Sequence, residues 1–217
     1  MGPPLLVPPD DLLRLARWLS PAFPTGAFAW SHGLEAAVAA GEVQDAPSLR
    51  DWLDALLRHG SGRADAILLA CAHREAAGGE NVAALADALA PSRERRAEAL
   101  ALGAAFARAV RAEGVEVEDA ALPVVLGRAA RAAGLPVLPV ALLHLQATAT
   151  SLVQAAQRLM PLGQTAAQGV LAALAPVACE VAEEAVALGV DDLGGCALAI
   201  DMASMRHEGQ EPRIFRS

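Results

Sequence analysis

Residues 132–179 read AAGLPVLPVALLHLQATATSLVQAAQRLMPLGQTAAQGVLAALAPVAC, and Arg158 carries the only fixed charge in this stretch of the sequence. Charged residues make up 19% of the whole chain, so a segment this neutral belongs inside a fold. Its apolar side chains recur at helical spacing up to Met160-Pro161, which predicts a helix over residues 139–159. The opposite face is polar but uncharged and carries Gln146, Thr148, Ser151, Gln154 and Gln157.

This polar face bears on the environment of the predicted helix. Amides and hydroxyls at such a frequency are poorly suited to lipid, so we expect no membrane span here. A central helix covered by its neighbours fits the pattern better, because the small residues of the stretch allow other helices to approach closely. An interface helix shared with a second copy or a partner is the alternative.

The composition predicts an all-α protein. Alanine and leucine dominate, isoleucine occurs three times and threonine four times, and tyrosine is absent, so residues that favour strands are scarce. A chain of 217 residues can bury one good core, and nothing in the sequence requires a division into two domains. We predict a single helical bundle of about ten helices over residues 1–217, with a flexible N-terminus over residues 1–9. Residues 206–217 have no helical period and form an irregular C-terminal tail.

Glycine and proline mark the ends of the predicted helices. Most apolar runs begin near Asp or Ser and end just before Gly, which is the capping asymmetry of packed helices. Ser20-Pro21 must end the first helix, and Pro176 divides a pair of runs near the end of the chain. The predicted helices cover residues 10–19, 28–41, 45–59, 63–77 (ended by Gly78-Gly79), 92–113, 119–133, 139–159, 164–174, 177–188 and 195–205.

Net charge and cysteine usage limit the partners and the compartment. A net charge of -8 and a pI near 5.1 disfavour nucleic acid, because phosphate binding needs a basic face. Three cysteines without metal or redox spacing are typical of a reduced cytosolic protein. The first residues lack a signal-peptide pattern. We therefore predict a cytoplasmic protein that binds neither nucleic acid nor membrane.

Catalytic and metal-binding patterns are weak. The sequence has no lysine, which excludes a P-loop and a Schiff-base mechanism. His32 and Glu35 lie three residues apart and could share a helix face around a metal, but two ligands do not make a site, and a polar contact at a helix start is the favoured interpretation. We predict no catalytic residue and no metal site. A solvated acidic face is the interpretation of Glu180, Glu183 and Glu184.

Two segments have the character of a protein interface. Three of the seven aromatic residues, Phe23, Phe28 and Trp30, lie around a turn built from proline and glycine. The tail ends in Arg-Ile-Phe-Arg before the last serine, and arginine and aromatic residues are the usual anchors of interfaces. A segment without its own core can order on a partner, which predicts a partner-binding tail. A core role for the aromatics and a frayed terminus are the alternatives.

Three motifs resemble the urease accessory protein UreF family. Residues 19–35, LSPAFPTGAFAWSHGLE, resemble its opening signature, and residues 158–164, RLMPLGQ, resemble its mid-chain turn. Residues 205–217, MRHEGQEPRIFRS, resemble its C-terminal tail. The order, the spacing and the length agree, so the resemblance covers essentially the whole chain.

The resemblance implies an all-helical scaffold without enzymatic activity that acts in urease maturation. Such a protein dimerises, binds UreD (UreH in some species) and recruits the GTPase UreG, and the assembly delivers nickel to apo-urease. No histidine-rich tract is present, so we expect the complex to handle nickel rather than this subunit to bind it. The alternative is a regulator that activates or gates GTP hydrolysis by UreG by supplying an arginine from the tail.

The partner-binding residues that we predict lie in the first and the last of these motifs. The family's pattern is not matched everywhere, because Ala27 replaces a glycine, Trp30 replaces a tyrosine, and the tail has Gly209, Glu211 and Pro212 where hydroxyl or aromatic residues are common. The predicted residues are Phe23, Phe28, Trp30, Ser31, His32, Glu35, Arg206, His207, Glu208, Arg213, Phe215 and Arg216.

Overall fold

A computed structural model describes residues 7–75 and 81–217, and those residues contain ten α-helices, two short 3₁₀ turns and no strand. The all-α prediction is confirmed. The 3₁₀ turns are Ala27–Ala29 and Val190–Asp192. The helices are α1 Pro9–Trp18, α2 Leu34–Ala39, α3 Ala46–His59, α4 Ser61–Arg74, α5 Val82–Ala88, α6 Arg93–Arg111, α7 Leu122–Ala132, α8 Val137–Leu159, α9 Gln164–Ala185 and α10 Leu198–His207.

The central helix predicted from the neutral stretch is α8. It packs against α2, α3, α4, α7 and α9, and side chains along its whole length are buried. On its polar side, the Thr150 hydroxyl donates to the main-chain oxygen of Gln146 at 2.8 Å, so the hydroxyl is satisfied within the helix. By length and composition alone, α8 and α9 could each cross a bilayer, but the packed core helices of a globular bundle meet the same criterion.

The predicted break at Pro176 is wrong, because α9 continues through it from Gln164 to Ala185. Proline at this position cannot donate to the carbonyl of Ala172, four residues earlier. Both residues are exposed, so water can hydrate the carbonyl that the helix leaves unpaired. Solvent on this side of α9 therefore allows one long helix where the sequence suggested two.

Other predicted boundaries also need correction. The helix expected from Phe28 is a 3₁₀ turn followed by extended Trp30, and α2 starts only at Leu34. Helix α5, capped by the Asn81 side chain, was not predicted. Within the predicted flexible N-terminus of residues 1–9, α1 begins at Pro9 and Val7 is partly buried against the core. The rest of that N-terminal prediction, residues 1–6, and the predicted helix end at Gly78-Gly79 lie outside the described residues.

Left-handed backbone separates the 3₁₀ turn from α2. His32 has φ 56° and Gly33 has φ 77°, whereas most L-residues avoid this region. A Cβ atom on Gly33 would lie 2.5 Å from the backbone nitrogen of Ser204 in α10, so only glycine allows α2 and α10 to approach this closely. The Ser-His-Gly sequence thus positions the start of α2 against the end of the chain.

Candidate partner-binding site

The two segments predicted to bind partners lie against each other. We call this region the junction; it comprises residues 27–35, the C-terminal tail and the first turns of α6. The Arg216 backbone nitrogen donates to the main-chain oxygen of Ala29 at 2.9 Å, and the Ser31 nitrogen donates to that of Ser217 at 2.7 Å. The structure therefore joins two motifs that are separated by most of the sequence.

The buried carboxylate of Glu35, in the first turn of α2, binds the backbone of the tail. Glu35 is 4% exposed, and its carboxylate accepts the backbone N–H groups of Ile214 at 2.6 Å and Phe215 at 2.9 Å. The Nε2 atom of His207 lies 3.1 Å from the same carboxylate. Burial raises the pKa of Glu35, but these three contacts outweigh burial and lower it. Glu35 is therefore a buried carboxylate that stays ionised.

His207 bridges Glu35 and Glu94 on α6. Its Nδ1 atom lies 2.7 Å from a Glu94 oxygen, and its Nε2 atom faces Glu35. Because carboxylates only accept, both contacts are hydrogen bonds when both ring nitrogens carry a proton. Arg213 binds the second oxygen of Glu94 at 2.6 Å. Glu35 and Glu94 thus share His207, and Arg213 supplies a positive charge to Glu94, which offsets part of the cost of burying the carboxylates.

A second cluster surrounds Glu98, one helical turn beyond Glu94. The Ser217 hydroxyl donates to Glu98 at 2.8 Å, and Arg95 pairs with the same carboxylate. The Nδ1 atom of His32 lies 2.9 Å from Glu98 and 3.0 Å from Arg95; since a carboxylate only accepts, the proton on this nitrogen belongs to the Glu98 contact. Burial raises the pKa of Glu98, but the Arg95 charge and His32 outweigh it and lower that pKa to about 2.

Two arginines cover aromatic rings at the outer side of the junction. The Arg158 guanidinium lies 4.3 Å from the centre of the Phe215 ring, and its NH1 group donates to the main-chain oxygen of Phe28 at 2.8 Å. The Arg216 guanidinium lies 4.6 Å from the centre of the Trp30 ring. Each geometry is that of a cation–π contact. The sole charge of the neutral stretch thus ties α8 to the tail.

A cavity of about 100 Å³ lies behind the junction. Trp30, His32, Glu98 and His144 are among the residues that line it. Burial, and secondarily the neighbouring His32, lowers the pKa of His144 to about 4, so this ring is neutral near neutral pH. Among the described residues, no three His, Cys, Asp or Glu side chains are grouped so that they could hold a metal ion.

The twelve predicted site residues divide by exposure. Six are buried and pack inside the fold. Among them, Phe23 packs on Phe106 with ring centres 5.3 Å apart. His32 and Glu208 are partly exposed, and Glu208 accepts from the Arg93 backbone nitrogen at 2.8 Å. The exposed residues are Phe28, Arg206, Arg213 and Arg216; the buried ones are Phe23, Trp30, Ser31, Glu35, His207 and Phe215. Direct partner contact stays a prediction, and surface access favours the exposed group.

The interpretation of the tail as a segment without a core of its own needs correction. Its predicted start at Arg206 is still helical, since α10 ends at His207. Beyond that point the chain is irregular, as predicted, but Phe215 is 3% exposed and Ser217 is fully buried. The reason is that α2, α6 and α8 supply acceptors and apolar surface for the tail within the same chain.

Sequence reasoning missed the α6 side of the junction. Residues 92–98, SRERRAE, resemble the solvated start of a helix, so Glu94, Arg95 and Glu98 were not considered. Their spacing contained a signal, because two glutamates four residues apart share one helix face. Only the fold shows that this face meets the tail. The metal interpretation of His32 and Glu35 also loses its basis, since the two side chains have different partners.

Comparison with known proteins identifies the family. A family model described as UreF matches residues 43–175, and the urease accessory protein UreF of Cereibacter sphaeroides strain KD131 is 54% identical over 210 residues, which cover 95% of this chain and 98% of that protein. The chain belongs to the UreF family. The family's urease accessory protein UreF from Roseobacter denitrificans is 45% identical, with 98% of this chain and 97% of that protein covered. The resemblance seen in the three motifs is confirmed.

The Glu98 cluster makes a testable prediction about acid stability. The pKa of Glu98 is about 2 in the folded state, against an ordinary value of 4.5. Ionised Glu98 therefore stabilises the fold above pH 4.5, and this stabilisation is lost as the pH falls toward 2. The contribution is on the order of 3 kcal/mol. Chemical denaturation of wild type and Glu98→Gln should show a difference in unfolding free energy that is large at pH 7 and shrinks toward pH 2. A difference independent of pH contradicts the assignment.

The Glu35 contacts lead to a prediction about amide exchange in the tail. In Glu35→Gln, the neutral amide accepts the Ile214 and Phe215 N–H groups less well than a carboxylate does, so amide exchange in residues 211–217 should accelerate by ~10-fold or more. Hydrogen exchange with mass spectrometry measures this. The matched control is Glu42→Gln, which removes only an exposed pair with Arg206 and should change the same rates less than ~3-fold. Equal acceleration in both variants would contradict the role given to Glu35.

Proposed function

We propose that this chain is a non-enzymatic scaffold of urease maturation that binds UreD (UreH) and recruits the GTPase UreG. The observation that supports it most strongly is whole-chain similarity to proteins named urease accessory protein UreF, at 54% identity over 95% of the chain. The sequence also lacks any lysine, and therefore the P-loop of a GTPase, which agrees with a role as the scaffold rather than the GTPase of such an assembly.

The exposed part of the junction has the chemistry expected of the UreD contact. Phe28 is 76% exposed and Ile214 is 61% exposed, although both adjoin buried anchor residues of the junction. Arg158 and Arg216 stand next to them. Exposed apolar groups beside arginine are typical of interface anchors. The inner carboxylates would then keep this surface in a fixed shape, so that binding would cost little ordering entropy.

In this proposal the complex handles nickel and this subunit holds none as a resident cofactor. Nickel is the cargo that the assembly delivers to apo-urease. We further propose that the chain works in the cytoplasm as a homodimer. The long exposed face of α9, which is uncharged from Thr165 to Cys179, is compatible with contact to a second copy.

The scaffold proposal predicts that surface substitutions at the junction weaken UreD binding. In the double variant Phe28→Ser and Ile214→Ser, loss of two exposed apolar anchors should raise the Kd for purified UreD by ~10-fold or more. Leu13→Ser on α1, where the leucine is 69% exposed, is the matched control and should bind as wild type does. Biolayer interferometry gives the Kd values, and light scattering after size exclusion gives the stoichiometry. Wild-type chain that fails to bind UreD would refute the proposal.

The alternative, a regulator that supplies an arginine to UreG, receives no specific support. Arg206 pairs with Glu42, Arg213 pairs with Glu94, and Arg216 lies over Trp30, so none of these three candidates projects freely from the tail. Single-turnover GTP hydrolysis by UreG should therefore change less than ~2-fold when each arginine is replaced by alanine. A ~100-fold loss in any one variant would favour the alternative, since an inserted arginine contributes factors of this size or larger.

A further inference from the structure

A row of polar side chains on α8 lies along the cavity behind the junction. His144, Thr148 and Ser151 line this cavity, and their spacing of four and three residues places them on one side of the helix. Within the part of the chain that the structure describes, none of these three side chains forms a hydrogen bond. The hydroxyl of Thr150, which does not line the cavity, instead donates to the main-chain oxygen of Gln146 at 2.8 Å. We call the three side chains in the cavity the polar row.

His144 is the most deeply buried member of the polar row. It is 5% exposed, and burial, with a smaller effect from the nearby His32, lowers its pKa to about 4. The ring is therefore neutral near neutral pH, with one N–H donor and one acceptor nitrogen. A buried polar group without a partner costs free energy, and most buried polar groups have one. A ligand that offers a partner to this ring would remove that cost.

Three aromatic rings also line the cavity. They belong to Trp18, Trp30 and Phe106, and we call them the aromatic wall. Trp18 and Phe106 pack edge to face with ring centres 5.6 Å apart, and the Trp18 Nε1 group donates to Glu113 at 3.0 Å. The Arg216 guanidinium packs on the Trp30 ring, which is 6% exposed. Contacts within the chain thus hold the wall in place before any ligand enters, as in most preformed ligand sites.

The charged side chains around the cavity disfavour an ion as its ligand. Asp65, Arg95 and Glu98 line it; Arg95 pairs with Glu98, and its charge also acts on Asp65. An anion would face two carboxylates, and a cation would lie beside the Arg95 guanidinium. Burial and the Arg95 charge lower the pKa of His32, so that ring adds no fixed charge. A neutral molecule is the ligand that this lining favours.

The size and position of the cavity limit the ligand further. An engineered apolar cavity of ~150 Å³ holds benzene. The cavity here, at about 100 Å³, is somewhat smaller. Ser20, Pro21 and Thr25 also line it and are exposed or partly exposed, so it opens to solvent beside this turn. A single ring whose substituent can extend toward the opening is therefore the largest ligand that fits.

We propose that this cavity binds a small neutral molecule in which one aromatic ring carries a hydroxyl or N–H group. The ring packs on the aromatic wall, and the hydroxyl or N–H group pairs with the polar row. Phenol represents this chemical class, because it is uncharged near neutral pH and its hydroxyl both donates and accepts. The bound ligand would connect α8 with the turn at residues 20–25. The inference is separate from the scaffold function, since its test needs no second protein.

The test measures binding of para-fluorophenol to the full-length chain by fluorine NMR. We expect a Kd of ~1 mM or tighter, which is within reach of a ligand of this size in a preformed pocket. Fluorobenzene is the matched probe without a hydroxyl, and it should bind at least ~5-fold more weakly because it leaves the polar row unpaired. Absence of para-fluorophenol binding up to ~10 mM, or equal Kd values for the two probes, would overturn the inference.

Two substitutions in the cavity should weaken this binding. Thr148→Val removes one hydroxyl at nearly constant volume and should raise the Kd by ~5-fold. Ala147→Leu fills part of the cavity, which Ala147 lines, and should raise the Kd by ~10-fold or more. Thr150→Val is the matched control on the same helix, because the hydroxyl that it removes is bonded outside the cavity. This control should bind para-fluorophenol with the wild-type Kd.

The folding of each variant is checked before its Kd is compared. Each must retain the wild-type melting temperature within about 2 °C, and Thr148→Val decides the outcome if the bulkier Ala147→Leu is unstable. Unchanged Kd values in the folded cavity variants would place any binding elsewhere on the protein and contradict the inference. A loss in Thr150→Val as large as that in Thr148→Val would contradict it as well.

Discussion

The hydrogen bonds between the Glu35 carboxylate and the Ile214 and Phe215 backbone are the constraint on which the end of the chain depends. The tail has neither helix nor strand to satisfy its N–H groups, and an unpaired buried N–H is costly. A buried carboxylate is costlier still unless donors surround it. Each group therefore makes the burial of the other possible, and the tail stays packed on α2 because both are present.

Charge balance extends this constraint through the junction. Glu94 and Glu98 on α6 face His207, Arg213, Arg95 and His32, so each carboxylate has one arginine and one histidine as partners. The complete cluster adds little to the free energy of unfolding, but removing one member lowers that free energy strongly. It therefore specifies a single arrangement of three elements. The outer surface is free of this requirement, and there Phe28 and Ile214 remain exposed.

The fold was largely predictable because the same residue types mark the starts and ends of several helices along the chain. Glycine after the apolar run located the ends of α2, α3, α6 and α7, and the neutral stretch identified α8 as the central helix. The errors occurred where long-range context overrode local preference. Pro176 did not end α9, since solvent hydrates the unpaired carbonyl, and Phe28 did not start a helix, since left-handed His32 and Gly33 hold α2 against α10.

The sequence by itself determined the fold class, the central helix, the family, and two of the three segments that form the junction. Composition and motif carry this information, because both depend on residue type and spacing alone. Only the tertiary structure decided that these segments pack on each other, that six of the twelve predicted site residues face inward, and that Glu94, Arg95 and Glu98 complete the junction. The physical reason is that burial and charge pairing are properties of neighbours in space. Residues 35, 94 and 207 become neighbours only when α2, α6 and α10 are packed together.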